Sequence, residues 1–270
     1  MLQLLRHHYR QWWLKRHPIE DALWQPLSTM PILRGLDEGE MKRLRELAAW
    51  FLRTKTITPV AGIELSDPMR VILAMQACLP ILNLGFDAYD DWHEVIIYPS
   101  QFISQTRERD LSGLVHEGEQ ILAGQARSDG PVLLSWHDVM ESPWLDGFNV
   151  VIHELAHKLD MRNGYPNGEP PLHYGMNRDD WKAAFQAAYQ DLQWRANAGH
   201  PSEIDLYAAT DPAECFAVLS EMFFESPQIL NANYPQVYRQ LQLFYRQDPI
   251  ARLSRVRYRP VSDLEAFAAV

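Results

Sequence analysis

Cysteine is nearly absent from this chain: Cys78 and Cys215 are the only two in 270 residues. Two thiols cannot build the disulfide framework of a small secreted domain, so a reducing cytoplasm is the expected compartment. Positive charge is also scarce, with 25 Lys and Arg against 35 Asp and Glu and a formal net charge of -10. That balance repels a phosphate backbone, and direct nucleic-acid binding is not expected. Long apolar runs are missing too. The stretch Val71 to Leu84 is broken by Gln76 and Pro80, which leaves no expected membrane span. Met1 to Pro18 has only a short apolar run and no small-residue cleavage site, so no export signal is expected. Neither a fixed-period repeat nor a low-complexity block is visible.

What is present is ample apolar material, 47% of the chain, enough for a large buried core. Residues 1–18 read as a leader that is partly mobile, since termini are commonly loose. Trp12 and Trp13 among Arg6, Arg10, Lys15 and Arg16 also suit a helix lying on a membrane surface. Residues 19–260 read as one catalytic domain, and 261–270 as a tail. The spacing predicts a helix from about Glu38 to Arg53, opened by a capping box of Asp37 and Glu40. A second helix, Asp67 to about Leu82, has Pro68 in its first turn and a nearly all-apolar face. Between about 93 and 137 the texture turns to β. His93 to Tyr98 is rich in branched and aromatic residues, and Gln120–Arg127 with Val132–Trp136 resembles a hairpin about a Ser128-Asp129-Gly130 turn. Helical periodicity returns over about 148–160, 178–196, 212–225 and 235–246. The class is α+β, mostly helical, with a small β-sheet ahead of the helix at 148–160.

That helix carries the chemistry. Val150 to Asp160 reads VVIHELAHKLD, and His153-Glu154-Leu155-Ala156-His157 is the HExxH pattern of zinc peptidases. Residues four apart share a helix face, so both imidazoles can reach one ion at about 2.0–2.1 Å. Glu154 then stands beside the open coordination position as the general base for a water whose pKa zinc lowers toward about 7. The flanking Val150, Val151, Ile152, Leu155, Ala156 and Leu159 are apolar. A pair of satisfied core histidines is the plainer alternative, but buried polar groups need partners, and a metal supplies one.

Catalytic zinc usually takes three protein ligands. The metzincin pattern would need glycine at 160 and histidine at 163, whereas Asp160 and Asn163 stand there, so a carboxylate is expected. Asp205 to Glu225 offers Glu214 and, seven residues on along the same face, Glu221. Glu214 reads equally well as the close of a capping box begun by Asp211, with Pro212 at the first helical position. Glu221 is the fallback ligand or a partner that orients an imidazole, and Asp160 is another such partner. Tyr207 reads either as a packing residue or as a donor to the tetrahedral oxyanion. His137, His173 and His200 are lone histidines of the kind that is usually structural. A structural zinc site would be closed by Cys or His, and neither cysteine has the spacing for it.

Three blocks, HEVIIYPSQF (His93 to Phe102), HELAHKLDMRNG (His153 to Gly164) and DLYAATDPAECFAVLSEMFF (Asp205 to Phe224), resemble the Mlc titration factor A family over about residues 20–255. The termini and the loop Tyr165 to Tyr174 depart most. The resemblance implies a zincin-like (gluzincin) core similar to the anthrax lethal factor protease domain, in a cytoplasmic bacterial peptidase of aminopeptidase type with one zinc ion. It implies His153, His157 and Glu214 as zinc ligands, Glu154 as the catalytic glutamate and Tyr207 against the oxyanion. It also implies a second partner besides a peptide substrate, since members bind the glucose repressor Mlc and take it off its operators. Two readings therefore stand: an enzyme, or a regulator that sequesters a repressor with its peptidase activity vestigial or secondary.

Overall fold

The computed structural model describes residues 2–109, 115–128 and 130–256. The tail 261–270 and Asp129 of the expected turn lie outside the described residues. Helices dominate and a small mixed sheet precedes the motif helix, so the α+β expectation holds. The helix Glu38–Thr54 opens with the expected capping box: Asp37 Oδ1 accepts from Glu40 N at 2.8 Å and Glu40 Oε2 accepts from Asp37 N at 2.9 Å. The helix Asp67–Cys78 is buried from Val71 to Cys78, with Ser66 as its cap and Pro68 in its first turn.

Among the described residues there are six strands: β1 (Thr56–Pro59), β2 (Glu94–Tyr98), β3 (Phe102–Arg109), β4 (Val115–Leu122), β5 (Gly124–Ala126) and β6 (Val132–Ser135). Four of them form a sheet in the order β1-β2-β6-β5, in which β1, β2 and β6 run parallel and β5 is the antiparallel edge. The hairpin expected between Gln120–Arg127 and Val132–Trp136 is therefore shorter than its sequence. Only Gly124–Ala126 pairs with β6, whereas Leu122 and Ile121 pair with Phe102 and Ile103 in the separate β3-β4 ribbon. The switch falls at Ala123, whose carbonyl accepts from Ser135 N at 2.8 Å. Ser135 then caps a short helix, Trp136–Glu141, by accepting from Asp138 N.

The N-terminal helix, Leu2–Leu14, lies against the body. Trp13 meets Trp50 edge to face at 5.7 Å, and Arg10 pairs with Asp87 at 3.1 Å. At the centre, the motif helix Val150–Asp160 packs on the helix Pro212–Glu225. Phe216, Leu219, Phe223 and Phe224 from the latter are fully buried. Tyr245, at the end of the helix Pro235–Tyr245, stacks on Phe223 at 5.6 Å. Each such side chain contributes about 1.5–3 kcal/mol through burial, so the two central helices are set rigidly against each other. Among the described residues no helix is long and apolar enough to cross a membrane.

Candidate metal centre

The motif helix starts on Asn149, a buried cap whose Oδ1 accepts from Ile152 N at 2.9 Å. A capping side chain contributes about 0.5–2 kcal/mol, but Asn149 does more. Its backbone N donates to Glu221 Oε2 at 2.7 Å, and its amide donates to Ser142 O and Glu225 Oε1, each at 2.8 Å. Glu221 turns its other oxygen to His153 Nδ1 at 2.6 Å. One asparagine thus ties the start of the motif helix to a carboxylate that orients the first motif imidazole.

The start of the helix Pro212–Glu225 is pinned as firmly. Asp211 caps the helix Pro212–Glu225 unaided, accepting from Ala213 N at 2.8 Å and Glu214 N at 3.0 Å. The Glu214 side chain is free to turn inward. Its Oε2 lies 3.0 Å from His153 Nε2 and 3.4 Å from His157 Nε2, and the two Nε2 atoms are 3.3 Å apart. An ion about 2.0–2.1 Å from three ligands in tetrahedral array separates them by about 3.3 Å, so the triangle suits a metal. These three residues form a group that could hold one. With His153 Nδ1 engaged by Glu221, it is Nε2 that faces the shared point.

The electrostatics agree with a carboxylate packed against a basic imidazole. Burial opposes a charged His153 ring, but the Glu221 carboxylate and the bonds to Glu214 and Glu221 hold its pKa well above the ordinary 6.5. For Glu214, burial pushes the pKa up, while bonds from His153 and His157 and their charge carry it well below the carboxylate range. Glu154, almost wholly buried, has its pKa raised by burial, against the pull of both histidines. Gly124 on the edge strand lies close against it, since a β-carbon there would stand 2.5 Å from Glu154 Oε1. Tyr207 sits in the turn Leu206–Ala209, 6.1 Å from His153 ring to ring and about half exposed. Burial and the Glu214 and Glu154 charges push its phenol far up, so it stays a protonated donor.

A cleft of about 750 Å³ opens on these groups, lined by Gly124, Phe148, His153, Glu154, Tyr207 and Met222 among others. Asp146, Glu203 and Asp205 line it as well, and no lysine or arginine is found there among the described residues. Sequence reasoning did not single out these acids, nor Asn149 and Glu225. Asn149 carried a readable signal, a capping residue just before an apolar run. The other histidines lie elsewhere: His173 Nε2 bonds Phe244 O at 2.7 Å, His200 stacks on Trp194, and His137 is the second residue of the short helix after β6. Asp160 holds the loop that follows, its Oδ2 accepting from Asn167 N and Gly168 N at 2.7 Å. That loop abuts the other helix directly, because a β-carbon on Gly168 (φ +76°) would fall 2.4 Å from Pro212 O.

Glu225 supplies a pH test of the polar network. Burial raises its pKa from 4.5 to about 8 despite the bond from Asn149. Below pH 4.5 folded and unfolded chains both carry this proton; between there and about pH 8 only the folded chain keeps it. Stability should therefore fall as pH rises across that window, by up to a few kcal/mol from this group. Glu225→Gln, which cannot ionise, is expected to flatten that decline in thermal melts recorded from pH 5 to 8. An unchanged slope would remove Glu225 as its source.

Comparison with known proteins agrees with this architecture. Residues 5–246 match the family described as glucose-regulated metallo-peptidase M90. The chain is 42% identical over 252 residues to Mlc titration factor A of Serratia proteamaculans (strain 568), covering 91% of this chain and 95% of that one. It is 42% identical to Mlc titration factor A of Yersinia enterocolitica (90% and 92% covered) and 43% identical to that of Yersinia pestis strain Pestoides F (87% of each). A three-residue group that could hold a metal, on two packed helices, in a chain alike over about nine tenths of its length, places this protein in the glucose-regulated metallopeptidase family M90.

Proposed function

We propose that the chain is a zinc-dependent peptidase of aminopeptidase type, acting in the cytoplasm, with His153, His157 and Glu214 as ligands of one zinc ion. The observation that carries this reading is the convergence of two imidazole nitrogens and one carboxylate oxygen within hydrogen-bond range, beside Glu154. Two nitrogens and an oxygen with room for a fourth group are the donor set of catalytic zinc sites. Zinc, when bound there, supplies Lewis acidity and makes water a competent nucleophile near neutral pH. Glu154 takes the proton of the attacking water and passes it to the leaving amine, a role its raised pKa suits. Tyr207 donates its hydroxyl to the oxyanion as the carbonyl becomes tetrahedral. Asp146, Glu203 and Asp205 give the cleft an acidic wall that attracts a substrate's α-amine. Treatment with a strong chelator should abolish hydrolysis of an alanyl p-nitroanilide, and stoichiometric zinc should restore it. Activity that survives complete metal removal would overturn the reading.

The name of the relatives, Mlc titration factor A, supports a second role, binding of an Mlc-like repressor. The net charge of -10 complements the basic face of a DNA-binding protein. Such a repressor should be retained equally by immobilised wild type and by Glu154→Gln. Loss of retention in that variant would tie binding to catalysis, and retention by neither would remove the role.

A further inference from the structure

A second cavity, of about 810 Å³, opens where the N-terminal helix meets the helix Glu38–Thr54 and the turn Phe86–Tyr89. Its charge is the reverse of the chain's. Arg6, Arg10, Arg53, Lys55 and Arg162 face two carboxylates, Asp87 and Asp90, in a protein of net charge -10. Like charges crowded on one concave wall repel each other, and the low-dielectric walls focus their field on an incoming anion.

The acids present do not neutralise this wall. Asp87 is shared: its Oδ1 accepts from Arg10 Nη1 at 3.1 Å and its carbonyl from Arg162 Nη2 at 3.4 Å. Lys55 is turned inward, donating to the carbonyls of Tyr89 and Trp92. Burial lowers its pKa to about 8 even with Asp91 and Asp90 nearby, and further negative charge would relieve that cost. Arg6 and Arg53 have no carboxylate within 4 Å among the described residues; Arg53 lies 5.9 Å from the Trp13 ring. Aromatic surface completes the lining. Tyr9, half exposed, meets Trp50 edge to face at 6.2 Å, with Phe86 beneath.

We propose that this cavity binds a small phosphorylated molecule, its phosphate forked by the arginines and its ring against Tyr9 and Trp50. A phosphate monoester brings about 1.5 to 2 negative charges at pH 7 and three acceptor oxygens. That matches a surplus of several cations better than one carboxylate does, and guanidinium forks fit phosphate in bidentate geometry. The flat walls suit either a nucleotide base or the apolar face of a sugar. A duplex would need a basic stripe, and here the cations converge on one hollow.

Isothermal titration of the full chain at low salt, with ATP and with a hexose 6-phosphate, tests this and separates the two sources of the phosphate. Saturable binding of at least one is expected, weakened about 10- to 100-fold in Arg6→Gln/Arg53→Gln and in Arg53→Gln alone by smaller steps. Both side chains are exposed, so the fold is expected to survive, and Arg178→Gln, outside the cavity, should bind as wild type does. No saturable binding of either compound, equal binding by the double variant, or binding only to phosphatidylglycerol vesicles would overturn the proposal.

Discussion

A Glu154→Gln chain should keep its metal and hydrolyse an aminoacyl p-nitroanilide about 10²- to 10⁴-fold more slowly, the range expected for loss of a general base. The amide is nearly the shape of the carboxylate, and the site around it is tight. Gly124 leaves no space for the side chain to swing toward the edge strand. The trio His153, His157 and Glu214 does not include Glu154, so removing its charge leaves the ligands in place. Metal content by atomic emission together with initial rates decides the matter. Wild-type turnover would take Glu154 out of the mechanism, and metal loss would make it a ligand instead of a base.

Glu214→Ala is the second large effect, on binding rather than on the chemical step. It removes one corner of a triangle whose sides are 3.0 to 3.4 Å, and two imidazoles alone hold zinc poorly. Apparent zinc affinity should fall by more than the about 10- to 100-fold typical of losing an outer partner. Glu221→Gln supplies that comparison, because Glu221 acts through His153 Nδ1. Competition with a zinc-sensitive dye should rank wild type above Glu221→Gln and Glu221→Gln above Glu214→Ala. The reverse order of the two variants would make Glu221 the third ligand.

How much could be read in advance depended on how local each signal was. HExxH lies within five residues of one helix, and helix periodicity alone brings its imidazoles together. Glu214 was ambiguous for a physical reason: a glutamate at that point of a helix serves equally as a cap and as a ligand. The ambiguity ends with the Glu214 carboxylate itself, which closes no box on Asp211 N and lies instead 3.0 Å from His153 Nε2 and 3.4 Å from His157 Nε2. The β-region misled because Gln120–Arg127 is one stretch of strand-forming residues that divides between two sheets, and alternation does not record which partner a strand takes. Short elements such as β1, of four residues, and the helix Asp21–Leu27, with Pro26 inside it, hold too few residues to show a period. The Asn149 network joins residues 72 and 76 positions apart, and the acids of the cleft wall meet only through the tertiary fold.

The loop that follows the motif helix and packs on the helix Pro212–Glu225 changes what a bound ion would be asked to do. Asp160 grips that loop from the end of one helix, and Gly168 sits against Pro212 at the start of the other. Trp181 fastens the same point by donating from Nε1 to Gly168 O at 2.9 Å. The two helices are thus latched by protein alone, with their ligand atoms already gathered. In a zinc finger the ion is the fastener, and stripping it unfolds the chain. On the proposed function a zinc ion would enter a finished socket, and the scaffold is expected to persist without it.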